Sequence, residues 1–127
     1  MPLAFSPGVT YNAQGNITAA GTSLALSTTS AGATVDVSSS SLGTWLSVTA
    51  TFGTVAATAG AVVAIYPAGD STPHFDTKPM FTFTIVAVTS TTQQMSYPLS
   101  TGKYSVTVQN LDATNGITYG ITSNPIA

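Results

Sequence analysis

The chain has 127 residues, of which only 5% are charged, and its four Asp+Glu, two Lys+Arg and one His give a net charge of −2. Two lysines are too few to neutralise a nucleic-acid backbone or an anionic lipid surface, and the absence of cysteine excludes disulfides and thiol chemistry. A hydrophobic content of 43% is that of a folded domain, and the most apolar stretch, Val55 to Tyr66, falls short of the ~20 residues of a spanning helix.

Hydroxyl groups take the place of charge. Ser and Thr supply roughly three residues in ten, well above ordinary usage. Thr is β-branched and suits a pleated surface that is wet on one side. Such a surface gives little charge repulsion between copies and suits packing against other protein.

In chain order, the first segment is MPLAFSPGVTYNAQG, residues 1–15, with two prolines among Leu3, Phe5, Val9 and Tyr11. Proline has no place in a central strand, so this reads as an extended arm or edge segment whose apolar residues need burial. It has neither a basic start nor a long apolar run, so no secretory signal is expected, and Asn16-Ile17-Thr18 is then an unused glycosylation match. SLALS and ATVDVS are weak strand candidates. From Thr44 onward period-2 alternation takes over. In TWLSVTATF, Leu46, Val48, Ala50 and Phe52 point one way, and Trp45, Ser47, Thr49 and Thr51 the other. AVVAIYP is apolar enough for a central strand. In MFTFTIVAV, Phe81, Phe83, Ile85 and Ala87 share a face. TQQMSYPL is weaker. GKYSVTVQNL places Tyr104, Val106 and Val108 together, with Tyr104 resembling the tyrosine of an Ig-like penultimate strand. GITYGIT does the same with Ile117, Tyr119 and Ile121. No segment has a helical period.

The turns between these runs are short: Gly53 and Gly60 bracket one, Ser100-Thr101-Gly102 makes another, and Asp112 to Gly116 forms a third around an Asn-Gly pair. The expectation is an all-β protein: an antiparallel β-sandwich, Ig-like or jelly-roll-like, of seven to nine strands. Residues 16–127 form its single domain, and residues 1–15 its arm.

Four of the seven ionisable side chains, Asp70, His74, Asp76 and Lys78, crowd into GDSTPHFDTKP. A hydrolytic triad of Ser71, His74 and an aspartate is disfavoured. Triads join distant segments, and no G-x-S-x-G elbow exposes the serine. A divalent ion on Asp70, His74 and Asp76 would be weakly held. A solvated connection between strands is the favoured reading. Asp112, Asn115 and Gly116 lack the spacing and the distal glutamate of a calcium loop and read as a hairpin turn. No catalytic residue, metal ligand or cofactor is expected, and the chain reads as a non-enzyme.

Trp45, on the hydroxyl-bearing face of its strand, packs under a loop or the arm, seats in a partner's pocket or stacks on a sugar. Leu3, Phe5, Val9, Tyr11 and Trp45 are the candidate interface residues.

The stretches TWLSVTATFGTVAATAGAVVAIYPAGDS and LSTGKYSVTVQNLDATNGITYG resemble the small β-sandwich decoration and minor virion proteins of tailed bacteriophages. Bacterial Ig-like adhesion modules have similar runs. The virion resemblance implies a non-enzymatic protein made in the host cytoplasm without a signal peptide and located on the capsid surface. It implies binding to the major capsid protein or another virion protein, as a homo-oligomer such as a trimer. The alternative is a tail- or fibre-associated, or Ig-like, adhesion module for host-surface glycans.

Overall fold

The structure is a computed structural model that describes residues 15–37, 42–53, 59–69 and 74–126. These contain eight strands: β1 (Gly15–Leu24), β2 (Ala33–Asp36), β3 (Thr44–Thr51), β4 (Ala61–Pro67), β5 (Phe81–Ile85), β6 (Thr92–Leu99), β7 (Lys103–Asn110) and β8 (Ile117–Pro125). Leu3, Phe5, Val9, Tyr11, Asp70 and Ser71 lie outside the described residues.

The strands form two four-stranded antiparallel sheets, ordered β1-β8-β3-β6 and β2-β7-β4-β5. The first strand pairs with the last, the second with the seventh, the third with the sixth and the fourth with the fifth. This is the pairing of one long hairpin rolled on itself and closed by β3–β8 and β4–β7 contacts. Of the two expected sandwich types, the order is therefore that of a jelly roll. An Ig-like sandwich would hydrogen-bond more consecutive strands, whereas here only β4 and β5 do so.

Alternation explains the core. Leu46, Val48 and Ala50 of β3 are completely buried, and Ile121 of β8, the cross-strand partner of Val48, joins them. From the opposite sheet come Val63 and Ile65 of β4 with Val106 and Val108 of β7, all fully buried. Each such side chain contributes ~1.5–3 kcal/mol by leaving water. Tyr104 is buried too, and its hydroxyl donates to the Ser100 carbonyl at 2.9 Å, tying the β6–β7 turn to the core.

Two boundaries differ from the sequence reading. β1 begins at Gly15 and takes in most of a segment with no clear alternation. Its register against β8 shifts between Asn16 and Thr18 and again between Thr18 and Thr22, and each extra residue breaks the period of two. β5 ends at Ile85, so Val86 and Val88 of MFTFTIVAV lie in the connection to β6 and are exposed.

Candidate binding face

The two sheets carry their polar groups differently. None of the seven ionisable residues, Asp36, Asp70, His74, Asp76, Lys78, Lys103 and Asp112, falls in β1, β8, β3 or β6. Asp36 and Lys103 belong to the other sheet and face each other, Lys103 Nζ standing 3.9 Å from Asp36 Oδ2. Asp112 lies in the β7–β8 turn, and the remaining four in the β4–β5 connection.

In that connection His74, Asp76 and Lys78 are exposed. Phe75 bridges back to Ala68, and the Asp76 amide donates to the Pro67 carbonyl at 3.0 Å. Among the described residues no three His, Cys, Asp or Glu side chains are grouped to hold a metal. The triad reading needs Ser71 and the metal reading needs Asp70, and both lie outside the described residues.

The β7–β8 turn is a polar knot tied around two buried side chains, Asn110 and Asp112. Asp112 Oδ1 accepts the Thr114 amide at 2.8 Å, the Thr114 hydroxyl at 2.9 Å and the Asn115 amide at 3.0 Å. The Thr114 amide is the main cause that lowers the Asp112 pKa to about 2, against the opposing pull of burial, with the Thr114 hydroxyl and Asn115 adding to the lowering. Asn110 is completely buried, donates through Nδ2 to the carbonyls of Ala25 and Asn115, and accepts the Asp112 amide. The carboxylate is consumed by the turn itself, which is what a structural hairpin requires. The sequence reading passed over Asn110, yet the period that buries Tyr104, Val106 and Val108 runs straight on to it.

Trp45 is on the outer face of the uncharged sheet, opposite Leu46, as its place in the alternation requires. It is half-buried, flanked across the sheet by Pro98 of β6 and Asn124 of β8. The next outward row is Thr122, Ser47 and Ser96, and the next is Gly120, Thr49 and Gln94. Because the middle row is small, it forms the floor of a shallow depression of about 500 Å³ lined by Trp45, Ser47, Gln94, Ser96 and Asn124. Ser47 is only 7% exposed there, and its hydroxyl is 3.0 Å from that of Ser96. Beside it, β1 crosses close over Gly120, where a Cβ would come within 2.9 Å of Ala20 Cα. Only glycine admits that approach.

A second surface lies at the flank where β5 and β6 form neighbouring edges of the two sheets. Phe81 and Tyr97 stack with ring centroids 4.4 Å apart, and Phe83 lies alongside. Of the eight exposed large hydrophobic side chains among the described residues, five fall between residues 80 and 95: Met80, Phe81, Val86, Val88 and Met95. The contacts of exposed Phe81 with Phe83 and Tyr97 join this flank across the two sheets and set it apart from the scattered apolar exposure normal on any surface.

No protein-family model and no curated protein matches the chain. Among solved structures it is similar to a protein from Bacillus endospore appendages, described as a novel family of disulfide-linked pili. The identity is 14%, with 99% of this chain and 96% of that one covered and a TM-score of 0.44. It is also similar to a family 16 carbohydrate-binding module, with 13% identity, 92% and 88% of the two chains covered and a TM-score of 0.41. Both likenesses are too loose to bring a function across.

Proposed function

We propose that this chain is a non-enzymatic structural protein of a bacteriophage virion, a head decoration protein that binds the capsid exterior. The observation that carries the reading is the apolar flank between β5 and β6, which borders an uncharged sheet. Met80, Phe81 and Met95 stay exposed there although the core is closed without them. Burying them against a capsid subunit removes apolar surface from water. The N-terminal arm, with Leu3, Phe5, Val9 and Tyr11, adds a second apolar contact to the major capsid protein or to a neighbouring copy in a homo-oligomer. An enzymatic role would need grouped acid–base side chains, and the described Asp, His and Lys residues are instead dispersed over a turn, a partly exposed ion pair and the β4–β5 connection.

Gradient-purified particles from cells carrying the gene, digested and quantified by mass spectrometry, test the reading. Decoration predicts hundreds of copies per particle. Complete absence from particles overturns the virion assignment, and a handful of copies moves the protein to the tail. Met95→Lys, which places a charge in the flank, should abolish binding to capsids stripped of this protein while leaving the fold intact.

A further inference from the structure

We propose that the outer face of the β1-β8-β3-β6 sheet is a binding site for a neutral saccharide, which stacks on Trp45 and is held by Gln94, Asn124 and the Ser47–Ser96 pair. This goes beyond capsid docking and uses a different surface, since the apolar flank lies at the sheet edge and Trp45 on the outer face of the sheet.

The shape comes from the register. Trp45 and the row containing Gln94 are four residues apart along β3, or about 14 Å at the rise of a strand. Between them stand Ser47 and Ser96, with Thr122 alongside on β8, so a tall aromatic and a long amide bound a low floor. That is a trough for a flat, short, extended ligand. It is built on the two central strands of the sheet and one edge, so its backbone is fixed before binding, and serine side chains lose little freedom on contact.

The chemistry narrows the ligand. A pyranose ring has an apolar C–H face suited to an indole and a rim of hydroxyls, each able to donate and accept. Gln94 and Asn124 each present a carbonyl acceptor and an NH₂ donor, which match a hydroxyl in either sense. Ser47 and Ser96 already share a hydrogen bond of 3.0 Å, so the pair retains one proton and spare lone pairs for the ligand. No ionisable Asp, Glu, Lys, Arg or His lies on any of the four strands, so a sulfated, phosphorylated or acidic sugar finds no counter-charge. A protein partner is the poorer fit, because the lining residues besides Trp45 are all uncharged polar, whereas protein hot spots seat aromatics in dry apolar surroundings.

The chain has one tryptophan, so its fluorescence reports from this site alone. The intact protein is titrated with hexasaccharides of glucose, mannose, galactose and xylose and with their sulfated counterparts. The expected result is a saturable change in emission with at least one neutral sugar, unaltered when salt is raised well past the point at which surface charges are screened. By calorimetry, Trp45→Ala should eliminate the binding and Gln94→Ala should weaken it about tenfold, the loss of one hydrogen-bonding side chain. Gln94 is exposed, so that variant remains informative if Trp45→Ala melts early. Four results overturn the proposal: no sugar changes the emission, binding survives Trp45→Ala in a folded protein, only sulfated sugars bind, or the emission responds to capsids and to no sugar.

Discussion

The β1-β8-β3-β6 sheet and the β2-β7-β4-β5 sheet send the same kind of side chain into the core. Leu46, Val48 and Ile121 come from one, and Val63, Ile65 and Val106 from the other, all fully buried. Their outer faces part company. One carries hydroxyls, amides and an indole without a charge, while the other bears the Lys103–Asp36 pair and adjoins the charged connection from β4 to β5. Since both halves fold by the same burial, charge is not what holds either together. The proposed saccharide site accounts for the neutrality of one face by what that face meets.

The comparison breaks most readily in the core. Leu46→Ala and Ile65→Ala, one from each sheet, should each cost about 3–5 kcal/mol in denaturant unfolding. If either costs less than about 1 kcal/mol, the two sheets do not share one core. Next comes Asn110→Ala, which leaves one buried amide and two partly buried carbonyls without their partner. A loss of about 2–3 kcal/mol is expected, and calorimetry should show a lower Tm with the jelly roll otherwise retained.

Acid separates the turn from the neutral sheet more gently. The folded pKa of Asp112 lies below its unfolded value, so the folded protein binds fewer protons and stability rises with pH in that range. The contribution is complete above the ordinary aspartate value of 3.8 and is lost as pH falls towards about 2. Melting curves across that window should show the decline, and Asp112→Ala should flatten it. A window at neutral pH would mean that another group governs.

The smallest effects test the neutrality itself. Lys103→Gln removes one side of a partly exposed pair at 3.9 Å and should change stability by less than about 1 kcal/mol. Gln94→Lys brings the first cation onto the neutral sheet and should cost no more than about 0.5 kcal/mol. A much larger cost for Gln94→Lys would make neutrality a demand of the fold rather than of a ligand.

Much of this was legible in the residues. The run from Thr44 to Phe52 placed Leu46, Val48 and Ala50 inside and Trp45 outside, because successive side chains of a strand must alternate. The turn from Asp112 to Gly116 was legible for a local reason, since its carboxylate bonds to amides two and three residues on. β1 was not legible, because it is an edge strand whose irregular register erases the period. The aromatic flank also escaped notice, because Phe81 and Tyr97 belong to different sheets and meet only at the side of the sandwich.

By itself, then, the sequence determined which face each regular strand buries, where the chain turns and how little charge it carries. Those are properties of neighbours within a few residues, or of composition. The order of the strands was left to tertiary structure, because a period of two says which side a residue faces and nothing about which strand lies beside it. Trp45 acquires Asn124 on one side and the serine and glutamine of β6 on the other only when β3 is laid between β8 and β6. Pairing across such separations is decided by how the whole chain buries its apolar faces at once, and the depression around Trp45 exists only as a consequence of that pairing.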